Sequence, residues 1–452
     1  MQVSQRPTSR QSPSTLAIIA GIQLRGSLGF FDHTWRTRGD LARIQIRSTT
    51  MLLATHPEHV RHVTVSRDTY DKAASYDSVR KLLLGHGLLT STGTAWRRQR
   101  QLMAPFFTPR GIERYAPTIA EEGLAFCERW ERAASTGTPV DVLTEMMLLT
   151  ARITLKTIFS TESDDDVQRL KHGVEALIGF VSLRQMQPIT IPMWLPTAAN
   201  RTYHAARAQL DTYIDGLIAK RRALPEDQWP DDLLSKLMQA RDAETGEAMS
   251  DALLRDEAVT LYFAGYETTA RTLAFLWYAL AAHPEAAEQV HREVDAVVGD
   301  AALTVGQLRQ LPYTAQAIKE TLRLFPSAPM FVRDAIKPDQ IDGVDVPVGT
   351  RMMLIPYLTH RHPEFWPKPE QFDPGRWDSA RQAGQHEYAY LPFAAGQRIC
   401  IGSHLALMEG LLLAATLARR FAPQLMPGYQ PQWSMSGTLT LRNGLPMVIT
   451  RR

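Results

Sequence analysis

Phe393-Ala394-Ala395-Gly396-Gln397-Arg398-Ile399-Cys400-Ile401-Gly402 follows a proline and opens directly onto an apolar-periodic run over residues 403–421. A cysteine placed there sits just ahead of a helix N-terminus, where free amide N–H groups and the positive end of the helix dipole favour a thiolate, the form that binds iron. The two glycines have separate uses. Gly396 permits a tight turn, and Gly402 lets backbone come close to the sulfur and to a flat group bound by it. Arg398 points the opposite way from its neighbours. A lone cysteine is ordinarily a small buried hydrophobe, and Cys127, the other of the two cysteines, reads that way. Two cysteines so far apart give no disulfide framework.

The chain has 452 residues, 44% hydrophobic, with 50 basic against 47 acidic side chains, enough to bury a large core. No block of Lys and Arg dominates any segment, which excludes a nucleic-acid footprint. Residues 1–15 form a polar stretch read as a disordered tail. The apolar stretch after it, 16–24, falls short of the roughly 20 residues a bilayer span needs and matches a signal peptide poorly. A cytoplasmic protein without a transmembrane anchor is expected. Apolar residues around Ser48, Thr49 and Thr50 predict a small hairpin between Leu41 and Ala54. Helical spacing then dominates, at 111–134, 140–159, 165–183, 205–222 and 253–282. Residues 338–355 and 433–449 read as strands joined by tight turns. With no composition break or repeat, residues 16–452 read as a single domain, mainly α with a minor β region (α+β).

A second segment, Leu261-Tyr262-Phe263-Ala264-Gly265-Tyr266-Glu267-Thr268-Thr269, lies in the middle of a long apolar helix, an odd place for Gly, Glu and two Thr. Gly alone costs such a helix about 1 kcal/mol relative to Ala. The small Ala264 and Gly265 would let helix backbone lie against a flat ring. Thr268 can hydrogen-bond the carbonyl of the preceding turn and loosen the helix there, opening room for dioxygen and water. Glu267 and Thr268 together can pass protons. The bland alternative is a back-bonded Thr268 and a solvated Glu267. Glu320 and Arg323, three apart, share one helix face; on a surface such a pair contributes only ~0–1 kcal/mol.

The stretch from Phe393 to Gly402 resembles the haem-binding signature of the cytochrome P450 superfamily, position for position, and the likeness, to soluble bacterial types, extends over most of the chain. It implies a triangular, mainly helical fold with heme b (iron protoporphyrin IX) buried between two long helices. Cys400 then corresponds to the axial ligand, whose electron donation favours O–O cleavage, and Glu267 with Thr268 to the family's acid–alcohol pair. Arg376, in Phe372-Asp373-Pro374-Gly375-Arg376-Trp377, matches the arginine that completes a buried cluster with Glu320 and Arg323 and orders the cysteine loop. Gly375 stands where an acidic residue is common. Three cations are expected to face the two haem carboxylates: Arg398, Arg333, and Arg100, which shares a helical face with Trp96. Cys127 matches nothing in the family.

The resemblance implies insertion of one oxygen atom from O2 into a small apolar substrate. No Gly-rich flavin or nicotinamide fingerprint is present, so electrons are expected from a separate ferredoxin or flavodoxin with its reductase. Arg97 and Arg98 would contribute to a basic docking surface for it. Pocket candidates include Leu82, Leu88, Phe180, Met186, Met193, Trp194 and Phe331, each equally able to be ordinary core. Such a lining suits a lipid-like molecule, a fatty acid or a terpenoid. The downstream half is most similar to soluble bacterial fatty-acid hydroxylases. Two other readings stay open: a peroxide-driven member of the family, which would not need Glu267 and Thr268, and a haem sensor or electron carrier, which would more often have a second axial ligand.

Overall fold

The computed structural model describes residues 15–46, 48–161, 163–186 and 191–452. Apart from Thr15, the N-terminal stretch expected to be disordered lies outside them. The short apolar run that follows is the start of a helix, α1 (Thr15–Arg38), which bends at Gly26, where φ is 69°. Its buried Ile18, Phe30, Phe31 and Trp35 pack on one face of a five-stranded sheet. That sheet begins with the expected hairpin, β1 (Leu41–Ile46) and β2 (Thr49–Ala54), antiparallel with Ile44 opposite Met51. The order is β1-β2-β5-β4-β3, with β3 Tyr70–Asp71, β4 Phe331–Ala335 and β5 Arg351–Leu354. Consecutive residues Leu52, Leu53 and Ala54 are all fully buried, as are Met352 and Leu354. Cores on both faces of the sheet explain why this part reads as a continuous apolar run instead of an alternating one.

Among the described residues three smaller antiparallel sheets stand beside it, including the pair Asp339–Ile341 with Val344–Val346 and the pair Trp433–Ser436 with Thr438–Leu441. Most of the rest is helical, chiefly α2 (Gly93–Met103), α3 (Ala116–Thr136), α4 (Val142–Phe159), α5 (Asp164–Met186), α6 (Ala198–Arg222), α7 (Asp251–Ala282), α8 (Pro312–Leu324) and α9 (Ser403–Ala418). The architecture is mainly α with small sheets, as the sequence implied. Helix α6 starts seven residues earlier than its apolar period suggests, because the Thr197 hydroxyl caps it by accepting the Asn200 amide at 3.1 Å. Helix α7 is 32 residues long, about 48 Å at 1.5 Å per residue, and is buried on most sides by its neighbours. Trp277 on α7 meets Trp130 of α3 edge-on at 5.6 Å, and Trp130 in turn meets Phe421 at 5.7 Å. The long helices α7 and α9 lie against each other at the centre. Among the described residues no helix is long and apolar enough to cross a membrane.

Candidate functional site

The cysteine loop is held by backbone. The Cys400 amide donates to the Phe393 carbonyl at 2.9 Å, and Ile399 N–H to the Gly396 carbonyl at 3.1 Å. Gly396 has φ 67°, and a Cβ there would stand 2.2 Å from the Thr64 carbonyl oxygen, so only glycine fits. Gly402 ends the loop as the N-cap of α9, and its amide hydrogen-bonds the Cys400 sulfur. The sulfur is open on one side and walled in on the others. The Gly402 amide at the helix terminus favours the thiolate, as expected. Burial pushes the Cys400 thiol up, outweighing the Gly402 amide and the nearby Arg100 and Lys72. Cys127 is buried in α3, its thiol 3.4 Å from the Gly123 carbonyl and pushed up to about 11 by burial, as befits a structural cysteine.

Beside the loop lies a buried cluster of positive charge. Arg398 donates to Asp71 at 2.5 Å and to the Ser91 carbonyl at 2.9 Å, and its guanidinium sits 3.9 Å from the centre of the Trp96 ring. Its Nε is buried without a partner among the described residues. Arg333, 4% exposed, donates to its neighbour's carbonyl at Val332 and lies against the Phe331 ring. Lys72 joins them, its ammonium on the Leu89 carbonyl at 2.9 Å and over the Tyr76 ring. Burial first, and the mutual repulsion of the three cations with it, holds Lys72 well below the usual lysine range, Asp71 being the carboxylate they share. Asp334, beside them, is taken by Arg351. Burying cations in excess of carboxylates is costly unless an anion joins them, and the two carboxylates of a haem supply that charge. Lys72 escaped the sequence reading because an isolated lysine carries no motif. Arg100 goes elsewhere: its guanidinium holds the Ile399 carbonyl at 2.8 Å, so the structure ties it to the cysteine loop instead of the carboxylate cluster.

Across from the loop, α7 behaves partly as expected. Thr268 donates from its hydroxyl to the Ala264 carbonyl at 2.7 Å, on an exposed stretch of the helix. The Thr268 carbonyl accepts the Thr272 and Ser327 hydroxyls, each at 2.9 Å, and those hydroxyls are 2.9 Å apart. Glu267 is not solvated; it is 5% exposed and bound by Arg271 at 2.5 Å and by the Thr438 hydroxyl at 3.1 Å. Gly265 is turned toward α4, where a Cβ would lie 3.2 Å from Thr154 Cγ2. Its missing side chain therefore serves helix–helix approach, and Ala264 is the small residue left on the open face.

A cysteine-first helix, buried cations that want two carboxylates, and a small residue beside a hydroxyl on the facing helix fit a haem. The family model described as Cytochrome P450 matches residues 13–449. The chain belongs to the cytochrome P450 family. It is 36% identical to the cyclooctat-9-en-7-ol 5-monooxygenase of Streptomyces melanosporofaciens, over 89% of each chain. It is 30% identical to the pentalenene oxygenase of Streptomyces avermitilis, over 88% of this chain and 87% of that one. The crystal structure of the cytochrome P450DA heme domain superposes with a TM-score of 0.89 at 28% identity, covering 99% of this chain and 97% of that one. The protein is a haem-thiolate monooxygenase acting on apolar substrates, and it requires O2 and a redox partner.

In this P450 the Glu320 cluster forms as the motif implied. Arg323 donates to both Glu320 oxygens at 2.9 and 2.8 Å, and Arg376 to one of them at 3.3 Å. The sequence reading missed His360. Its Nδ1 donates to the Arg323 carbonyl at 3.0 Å, and its Nε2 accepts the Leu391 amide at 2.7 Å, where the chain enters the cysteine loop. Burial holds the imidazole down at about 3, with Arg323 and Arg361 repelling its charged form. A free histidine titrates near 6.5, so between that value and about 3 the unfolded chain binds a proton that the folded one refuses. Stability from this site is complete above pH 6.5 and falls as pH drops toward 3. We expect acid loss of haem absorbance in that window to move to lower pH in His360→Gln; identical midpoints would refute the role.

Two other expectations are corrected. Arg98 is committed to Asp242 at 2.8 Å and Glu247 at 2.9 Å, which takes it off the expected docking surface, while Arg97 stays exposed. Trp194 is 80% exposed, facing outward instead of into the core. Phe180 stacks on Tyr203 at 4.6 Å; the Met186 side chain lies outside the described residues.

Proposed function

We propose that this P450 binds heme b through Cys400 and hydroxylates a terpenoid, with electrons from a separate ferredoxin or flavodoxin and its reductase. The buried surplus of cations at Lys72, Arg333 and Arg398 carries the cofactor assignment. The substrate class is supported by the likeness to a cyclooctat-9-en-7-ol 5-monooxygenase and a pentalenene oxygenase. The chain acts as one catalytic domain over residues 16–452, in the cytoplasm.

When bound, the haem supplies oxygen activation, tuned by thiolate donation. The protein's part is to hold, orient and deliver protons. Arg398, stacked on Trp96, would hold the haem carboxylates together with Arg333 and Lys72, and Arg100, Phe393 and Gly402 keep the loop around the sulfur in one shape. Ala264 leaves space over the ring. Thr268 Oγ1, bonded to the Ala264 carbonyl, would hold a proton there, and the Thr272 and Ser327 hydroxyls, both donating to the Thr268 carbonyl, fix that turn of the helix. Glu267, held by Arg271 and Thr438, positions that turn from behind.

Thr268→Ala should keep haem and oxygen consumption but lower product per oxygen consumed by about 10²-fold, the ordinary worth of a positioned proton donor; Thr268→Ser should recover most of it. Unchanged coupling in the alanine variant would refute the assignment and favour a peroxide-driven reaction.

A further inference from the structure

The segment Leu82–Leu89 is suspended between two helices by its backbone. On one edge, the Leu82 carbonyl accepts the Tyr203 hydroxyl at 3.0 Å and the Leu83 carbonyl accepts Arg207 at 2.8 Å, both from α6. These are the open carbonyls of a single wide turn, Arg80–Leu84, that ends at Gly85. On the other edge, the His86 amide donates to Asp256 at 2.8 Å and the Leu88 amide to Glu257 at 2.9 Å, both on α7. The approach is as close as glycine allows. A Cβ on Gly85 would stand 2.2 Å from the Asp256 carboxylate, and one on Gly87 2.2 Å from the Thr260 hydroxyl.

Glu257 is fully buried, and its second oxygen has no partner among the described residues. It precedes Ala264 by seven residues, two helical turns, and so shares the open face of α7 about 10 Å away along the axis. We propose that Glu257 is a positioning residue for the reaction, fixing the strap that carries Leu82 and Leu88 as the wall of the substrate pocket and thereby setting which apolar molecules fit over Ala264. Burial pushes its carboxyl up to about 8, so at neutral pH the neutral acid holds the strap, and glutamine reproduces its shape and acceptor. Tyr203 and Arg207 couple the opposite edge to α6, so a shift of that helix reaches the pocket wall through the Leu82 and Leu83 carbonyls.

The inference rests on the haem-monooxygenase reading of the site, whose own failure would show as a wild type without a thiolate-type carbonyl band. Two probes of the ferric protein separate wall from iron: imidazole, which reports ligation alone, and 4-phenylimidazole, whose ring must also fit the pocket. Glu257→Leu should weaken 4-phenylimidazole about tenfold, the worth of one lost buried hydrogen bond, leave imidazole within about twofold, and speed hydrogen exchange at His86 and Leu88. Glu257→Gln should restore all three. If the leucine variant holds no haem, Gly87→Ala makes the same test by lifting the strap from its own side, with the same split between probes expected. Equal weakening of both probes, no weakening of either, or a glutamine variant as impaired as the leucine one would overturn the proposal.

Discussion

Cys400→Ala protein is expected to fold, to lose the strongly red-shifted band of the reduced carbonyl complex, and to lose monooxygenase turnover to background. The reason is local. Around Cys400 the Gly402 amide, Arg100 and Lys72 favour the anion, but burial against them leaves the free thiol harder to ionise than an ordinary cysteine. The charge of a metal is what overcomes that, because a coordinating thiol is deprotonated outright. No second side chain on the loop can replace the sulfur: Ile399 and Ile401 flank it, and the Phe393 carbonyl is already taken by the Cys400 amide. Any haem retained by the variant would therefore be held by the cations and the apolar walls, with an ordinary carbonyl band. Circular dichroism separates this outcome from misfolding. A red-shifted band surviving in the variant would remove Cys400 from the ligand position and the monooxygenase mechanism with it.

What could be read from the residues divides by how far the partner lies along the chain. The cysteine loop was legible because Gly396 and Gly402 answer backbone needs within a few residues of Cys400. The Glu320–Arg323 pair was legible from helical spacing, and Arg376 only from family likeness, since 56 residues separate it from its Glu320 partner. Thr268 bonding back to Ala264 follows from helix geometry alone. The partners of Glu267 were not legible, because one of them, Thr438, comes from the strand Thr438–Leu441, 171 residues away. Lys72 and Asp71 were invisible for the same reason. The two-residue strand β3 that carries Asp71 is placed by pairing with Ala335 and Asp334, and nothing near Lys72 distinguishes it from a solvated lysine. Gly265 was assigned to the ring when it faces Thr154, because helical period shows which residues share a face but not which neighbour that face meets. Substrate class was legible only as an apolar, lipid-like molecule such as a fatty acid or terpenoid, because apolar side chains mark a lining without marking its shape.

Glu320→Ala is expected to lower stability by about 3–5 kcal/mol, the loss typical of removing one partner from a buried ion pair, and to release haem before the chain unfolds globally. Glu320 is wholly buried and accepts from Arg323, Arg376, the Trp377 indole N–H at 3.0 Å and the Asp373 amide at 3.0 Å. Without it two guanidinium groups stay buried with carbonyl partners alone. Arg323 also holds the carbonyls of His360, Pro369 and Gln371 at 2.9, 2.7 and 3.0 Å, and His360 holds Leu391 at the entry of the cysteine loop. The charge is thus one hydrogen-bonded step from the loop's backbone, and the loop should loosen first. Replacing the pair together, Glu320→Leu with Arg323→Leu, should recover part of the stability, because it leaves one guanidinium buried without a carboxylate where the single variant leaves two; Arg376 keeps its bond to the Pro367 carbonyl at 2.9 Å. Urea titrations followed by both haem absorbance and backbone ellipticity test the order of events. Coincident transitions in Glu320→Ala at the wild-type midpoint would mean that the cluster neither stabilises the fold nor orders the loop that carries Cys400.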